Sequence, residues 1–429
     1  MKTQVRNLLL LLTIPALASC SLPGAQAPQV AYAQSDKARI TAPDVATSDL
    51  AELVDGNTAF ALDLYQYLKD EAGEANLFYS PYSISVALAM TYAGARGHTE
   101  QQMADALHFT LPQDRLHPAF NSLDLALAGR GEGAEGQDGE GFWLNIVNAL
   151  WGQTGYKFLD AFLDTLAENY GAGLRLLDFA SDPEASRGII NDWVSDQTEG
   201  RIEDLIPQGL INQLTRLVLT NAIYFNAAWA EPFEESQTKD GAFHLLDGSQ
   251  VTVPMMWHSA SYGYAEGEGY QAVELPYDGY ELSMVILLPE AGGFERFEDS
   301  LDASQLDAIL GSLGHQQVAL TLPKFEFESE FGLADALMAL GMVDAFSMDA
   351  DFSGMDGTQE LFVREVVHKA FVSVDEAGTE AAAATAVIMQ LKGMATEPIQ
   401  VTVDRPFLFL IRDLETGALL FVGRVLDPA

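Results

Sequence analysis

Apolar residues recur along this chain with two periods, helical in the first half and strand-like in the second. From Leu50 onward, Leu53, Val54, Ala61, Leu64, Tyr65 and Leu68 fall on one helical stripe. Residues 76–81 (NLFYSP) then lead into Ile84, Val86, Ala87, Leu88 and Met90. Ser80 suits an N-cap and Pro81 the first helical position, and the segment is apolar nearly all round; this predicts a buried central helix closed by Gly94 and Gly97. Thr99 and Gln102 have the spacing of a capping box for a further helix through Leu107. Asp182 and Pro183 open another, carrying Ile189, Ile190, Trp193 and Val194 and stopped by Gly200.

Strand patterns are found at 144–151 and at 216–225 (RLVLTNAIYF), the latter apolar enough to be buried on both faces. Others follow at 271–275, 282–288, 318–325 and 362–374, with a helix at 333–340 and a closing pair of strands, 399–411 and 419–425, joined at Glu415, Thr416 and Gly417. This order predicts an α+β fold with more than one sheet. The glycine-rich acidic segment 129–141 reads as a mobile loop without phosphate-binding context.

One stretch fits neither period. Val374-Asp375-Glu376-Ala377-Gly378-Thr379-Glu380 runs into Ala381, Ala382, Ala383 and Ala384, and no charge follows Glu380 until Lys392. Such side chains bury almost nothing, but they let a backbone slide between other backbones without clashes or stranded charge. Alanine favours a helix here; a mobile strand is the alternative.

With 429 residues, 48% of them hydrophobic, the chain can bury a large core, and no repeat or linker divides it after residue 50, so 49–429 fits one domain. The 62 acidic residues against 22 basic ones give a net charge of −40, which argues against nucleic-acid or phosphate binding. The histidines lack metal-ligand spacing and a single cysteine builds no thiolate site, so neither metal nor cofactor is expected. With neither a GxSxG elbow nor a Walker loop, nothing supports a hydrolase. His368, inside an apolar strand, reads as a hydrogen-bonded structural histidine.

Lys2 and Arg6 precede the apolar run 8–17, too short to span a bilayer but suited to a signal peptide over 1–19. Leu17-Ala18-Ser19-Cys20 resembles a bacterial lipobox, which makes Cys20 the expected site of lipidation; an ordinary secretory signal is the alternative. Residues 20–48, rich in Ala, Pro, Gln and Ser, are expected to form a flexible tether. The expected location is therefore outside the cytoplasm: lipid-anchored on a bacterial cell envelope, at the outer membrane or cell surface, or secreted.

Several ordered motifs carry a resemblance to the serpins. They are 76–97 (NLFYSPYSISVALAMTYAGARG), 217–225 with Trp229, Val253-Pro254-Met255-Met256, Leu275-Pro276-Tyr277 and Pro323-Lys324-Phe325. Asp351-Phe352-Ser353-Gly354, 368–385 and 403–411 (VDRPFLFLI) complete the set, which spans about Leu50 to Pro428. The resemblance implies a metastable fold of three β-sheets with eight to nine helices and an exposed reactive-centre loop. It implies suicide inhibition of a serine protease, sometimes a cysteine protease: the enzyme attacks the loop, forms an acyl-enzyme, and is trapped as the cleaved loop inserts into the main sheet. The protein would be a monomer, touching a membrane only through its anchor. A non-inhibitory serpin acting as a binding or structural module is the alternative.

On this reading the small-residue run is a strand awaiting its sheet. Period 2 places Thr379, Ala381, Ala383, Thr385, Val387 and Met389 on an inward face, with Glu380 and Gln390 outward. Glu376, Gly378, Thr379, Glu380 and Ala381, Ala382, Ala383 and Ala384 are similar to the hinge of inhibitory members. The family's scissile residue lies sixteen positions past the hinge glutamate, which gives Lys392 and a Lys392–Gly393 bond suited to a trypsin-like pocket. Counting back from Pro406 and Phe407, the loop is about three residues longer than expected and the count lands near Ala395. This keeps Leu391 and Met394 as alternatives, with chymotrypsin- or elastase-like targets. Ser80, Ser83, Asn221 and His368 are similar to a polar cluster governing sheet opening, and Lys324 and Glu376 to a salt bridge near the top of that sheet, beside Trp229.

Overall fold

The structure, a computed structural model, describes residues 30–131, 143–198, 200–379 and 397–429. The signal segment 1–19, Cys20, most of the 129–141 loop, and Glu380, Ala381, Ala382, Ala383, Ala384, Leu391, Lys392, Gly393 and Met394 lie outside these residues.

Ala31–Ala429 form one compact unit. It begins with strand β1 (Ala31–Ala33) and helix α1 (Thr47–Ala72), followed by β2 (Leu77–Tyr79), α2 (Pro81–Tyr92), α3 (Gly97–Ala106) and α4 (Gln113–Ala128). Next come β3 (Trp143–Gln153), α5 (Asp160–Tyr170), β4 (Leu174–Leu177), α6 (Pro183–Gln197) and β5 (Leu217–Ala228). Strands then dominate: β6 (Lys239–His244), β7 (Gln250–Gly267), β8 (Tyr270–Pro276) and β9 (Leu282–Pro289), with α7 (Phe294–Ser300) and α8 (Ala303–Ser312) after them. The chain closes with β10 (Gly314–Pro323), β11 (Phe325–Gly332), α9 (Ala334–Ala339), α10 (Ser353–Asp356), β12 (Val363–Val374), β13 (Gly378–Thr379), β14 (Ile399–Thr402), β15 (Phe407–Asp413) and β16 (Leu419–Val425).

The main sheet has the order β1-β4-β3-β5-β13-β12-β11, and the second runs β14-β10-β7-β8-β9-β15-β16-β2, with β6 on β7. Three sheets are implied by the resemblance; here the β14–β10–β7–β6 end is continuous with the rest, because the 18-residue β7 pairs with β6 and β10 along most of its length and then with β8. The described residues hold ten α-helices against the implied eight or nine, α10 being a single turn.

Every residue of α2 is buried, its N-cap Ser80 accepting from the Ser83 N–H and Pro81 standing at its start, as the apolar pattern predicts. Elsewhere longer-range bonds override the local pattern. Thr99 and Gln102 form no capping box, since α3 starts at Gly97 without a side-chain cap; instead Thr99 Oγ1 accepts from the Asp351 N–H at 2.9 Å and Gln102 Oε1 from the Asp344 N–H at 2.7 Å. The expected strand 399–411 divides into β14 on β10 and β15 on β9, because Pro406 has no N–H for a ladder. The expected strand 318–325 breaks at Lys324, where the chain passes from the second sheet into the main one.

The expected tether is corrected in its second half. β1 pairs antiparallel with β4 at the edge of the main sheet, and the residues after it bond to α4 and α5. No described helix is long and apolar enough to cross a membrane. The described residues hold no group of three or more His, Cys, Asp or Glu placed to bind a metal.

Candidate functional site: the seam and hinge of the main sheet

β5 and β12 are long apolar strands that pair in parallel from Leu217 opposite Val363 to Ile223 opposite Ala370. Beyond this seam they diverge, and β13 fills the gap: Gly378 and Thr379 pair antiparallel with Ala228 and Ala227, and Thr379 with Val374. One end of the sheet is thus closed by direct pairing while the other already holds the first two residues of an intervening strand.

A tight turn reverses the chain between β12 and β13. Asp375 Oδ1 accepts from the N–H groups of Ala377 at 2.9 Å and Gly378 at 3.2 Å, and the Asp375 N–H donates to the Gly378 carbonyl. Burial raises the Asp375 carboxyl above its usual range, and those two N–H groups offset part of the rise. Gly378 is needed for close approach: a Cβ there would stand 2.2 Å from the Ala227 carbonyl oxygen. Thr379 is only 1% exposed, its hydroxyl 2.8 Å from the Tyr277 hydroxyl, and the Tyr277 ring stacks on Trp229 at 4.7 Å.

Trp229 fastens the turn from the β5 side. Its indole N–H donates to the Asp375 carbonyl at 3.0 Å and its backbone N–H to the Ala377 carbonyl at 2.9 Å. Glu376 faces Lys324 Nζ at 2.6 Å and accepts from the Thr238 hydroxyl at 2.7 Å. Burial pushes the Glu376 carboxyl up, but these two donors outweigh it and hold the group below its usual range. The Lys324–Glu376 bridge is therefore in place across the top of the sheet.

Ser80, Ser83, Asn221 and His368 also come together, at the seam itself, where β5 and β12 set Asn221 opposite His368. The Ser80 N–H donates to His368 Nε2 at 3.2 Å, so the ring proton belongs on Nδ1, which bonds Asn221 Oδ1. Asn221 Nδ2 donates to Ser83 Oγ and to Asn148 Oδ1, and Asn148 Nδ2 returns a bond to the Ser83 carbonyl at 3.2 Å. One polar network thus ties α2, β3, β5 and β12 together across the β5–β12 seam. Sequence reasoning missed Asn148 and Thr238, and met Tyr277 only within a motif, without a role. Asn148 did leave a signal, as one of two asparagines in a stretch otherwise apolar from Leu144 to Trp151.

Burial lowers the His368 pKa to about 3, and burial, aided by the Arg96 charge, lowers that of His117 to about 4. Both are neutral in the folded state and charge in the unfolded one near pH 6.5. The unfolded chain binds the extra protons below that pH, so this stabilisation is complete above pH 6.5 and is lost as pH falls towards the folded values. The slope is about 1.4 kcal/mol per pH unit and group. Replacing His117 by Gln is expected to remove one such contribution: the stability lost between pH 7 and pH 5, read from urea midpoints, should shrink by about 2 kcal/mol.

With this geometry in view, comparison with known proteins defines the class. The family profile described as serpin (serine protease inhibitor) matches residues 55–428, and the chain belongs to the serpin family, whose members are mostly protease inhibitors rather than enzymes. It is 42% identical over 378 residues to an uncharacterised serpin-like protein of Thermococcus kodakarensis, covering 88% of this chain and 86% of that one. It is 39% identical over 389 residues to the human leukocyte elastase inhibitor, covering 88% of this chain and all (100%) of the relative. Among solved structures it resembles human thyroxine-binding globulin complexed with its hormone (TM-score 0.79, 30% identity, 89% and 100% coverage). It also resembles uncleaved ovalbumin (TM-score 0.78, 26% identity, 88% and 100% coverage).

Proposed function

We propose that the protein is an inhibitor that traps a serine protease covalently by inserting its cleaved reactive loop into the main sheet. The observation that carries this reading is β13: Gly378 and Thr379 are already ladder-paired between β5 and β12, at the head of a seam that only one direct strand pairing closes. The protease serine attacks the scissile carbonyl, the segment beginning at the next residue leaves with the new amine, and the loop remains joined to the enzyme as an ester. About 14 residues then enter the sheet at roughly 3.3 Å each, carrying the acylated enzyme on the order of 45 Å. Displacement on that scale distorts the oxyanion hole and triad that deacylation needs.

Ordering each inserted residue costs about 1–2 kcal/mol, so two new ladders and the release of strain drive insertion. The uncharged run after Glu380 suits it, because no charge follows the strand inward until Lys392.

Lys392–Gly393 is the proposed bond, with a trypsin-like enzyme as target. The leukocyte elastase inhibitors among the relatives, together with the long loop count, support Leu391 or Met394 and an elastase- or chymotrypsin-like target as the second reading. Incubation with trypsin, elastase and chymotrypsin separates them. An SDS-stable adduct with a released peptide beginning at Gly393 is the expected result, and a peptide beginning at another residue overturns the Lys392 assignment. Cleavage by all three without any adduct overturns the inhibitory reading. For the proposed setting, a lipid anchor on Cys20 at a bacterial envelope, mass spectrometry of the membrane fraction should find a diacylated N-terminal cysteine.

A further inference from the structure

Residues 31–40 are docked, and their contacts run in one direction. β1 adds a strand to the open edge of the main sheet, Ala31 opposite Leu176 and Ala33 opposite Leu174. The Arg175 guanidinium donates to the Tyr32 hydroxyl at 2.5 Å and lies over the Trp193 ring at 4.3 Å. Past the strand, Ser35 donates to Asp164 of α5, and Lys37 pairs with Asp164 at 3.1 Å and Glu168 at 2.9 Å. The Ile40 N–H then donates to the Glu168 carbonyl at 2.9 Å. Arg39 reaches α4, donating to Asn121 at 2.8 Å and to Asp124 at 2.5 Å, while Asn121 returns a bond to the Ile40 carbonyl. The chain passes from there directly into α1, which packs on α4 and on β16 of the second sheet.

We infer that residues 31–40 form a strap that restrains opening of the main sheet, by fastening its outer edge to helices anchored on the other sheet. For β5 to part from β12 by one strand width, about 4.8 Å, β5, β3 and β4 must move as a block. The strap joins the outermost strand of that block to α5, α4 and α1, so the block moves only when the strap is unseated or dragged with it. The sequence makes room for it: a Cβ on Gly173 would stand 2.9 Å from the Ala33 carbonyl oxygen and 2.9 Å from Gln34 Cβ. The inference rests on the proposed function only in giving seam opening a purpose; the restraint itself is independent of what enters the seam.

The test is hydrogen exchange, by mass spectrometry, of the seam amides 217–223 and 363–370 in the full chain. Gly173→Ala, which blocks docking, and a K37A/R39A variant, which strips its side-chain bonds, are each expected to speed seam exchange about tenfold. A synthetic peptide of residues 30–41 should restore the parent rate to the double variant. Exchange unchanged in both variants overturns the inference, and so does faster exchange that the peptide leaves untouched, since that reports general damage to the fold. Adduct formation with proteases, followed in parallel, judges the inhibitory reading separately.

Discussion

A Thr379→Arg variant is expected to be cut by the target protease as fast as the parent chain and to let the enzyme go. Thr379 is 1% exposed and its hydroxyl meets that of Tyr277, so a guanidinium placed there enters a pocket with the stacked Tyr277 and Trp229 rings and with no carboxylate among the contacts of Thr379 to the described residues. Burying an unpaired charge costs several kcal/mol. In the free variant β13 can leave the sheet and keep the charge in water, so the cost falls on the insertion that must return this position to the sheet, while acylation is left alone because Lys392 lies 13 positions further along the chain. On the proposed mechanism trapping is a race between insertion and deacylation, and a barrier raised by about 4 kcal/mol slows insertion about a thousandfold. The adduct band should fall to a trace on SDS gels, and the number of inhibitor molecules cleaved per enzyme blocked should rise at least about a hundredfold. Thr379→Ser, which keeps the hydroxyl, should trap normally. Undiminished one-to-one trapping by the Arg variant would show that trapping does not need this position buried in the sheet.

How much of this site the sequence reveals depends on the range of the forces that build it. The start of α2 is legible because capping is local: Ser80 and Pro81 act on N–H groups within one turn. The hinge glycine is legible as a small residue before an alanine run, but its physical reason, a carbonyl of β5 lying where a Cβ would be, exists only once the strands are paired. Asn148 meets Asn221 through a register linking positions 73 residues apart, and nothing near either residue specifies it. The same holds for Thr99 and Gln102, whose local spacing suggests a cap while their bonds go to a turn more than two hundred residues away. Composition misleads at the N-terminal segment for a related reason. Residues 31–40 have a linker's make-up, yet an open sheet edge and the acids of α4 and α5 give them partners that composition does not reveal.

Asn221→Ala is the second large effect to expect, and it acts on the lifetime of the native state. Asn221 is fully buried and is the one residue of its network bonded to Ser83, Asn148 and His368. Truncation strands the buried His368 ring N–H and removes the donor that Asn148 Oδ1 and Ser83 Oγ share. A buried polar group left without a partner costs about 1–3 kcal/mol, so the closed sheet should lose on the order of 3–5 kcal/mol. A sheet parted along the seam has already given up these bonds, so the loss lowers the barrier to opening. The half-life of the adduct-forming state at 37 °C is expected to shorten by a factor of about a hundred to a few thousand. Ser83→Ala, which removes one hydroxyl, should shorten it only severalfold. The His368→Leu/Asn221→Ala pair closes a double-mutant cycle: if the cost comes from stranded groups, the double variant should be more stable than the sum of the single losses predicts. Strictly additive losses, or an Asn221→Ala half-life within twofold of the parent, would mean that the seam is held by its backbone ladder and packing alone.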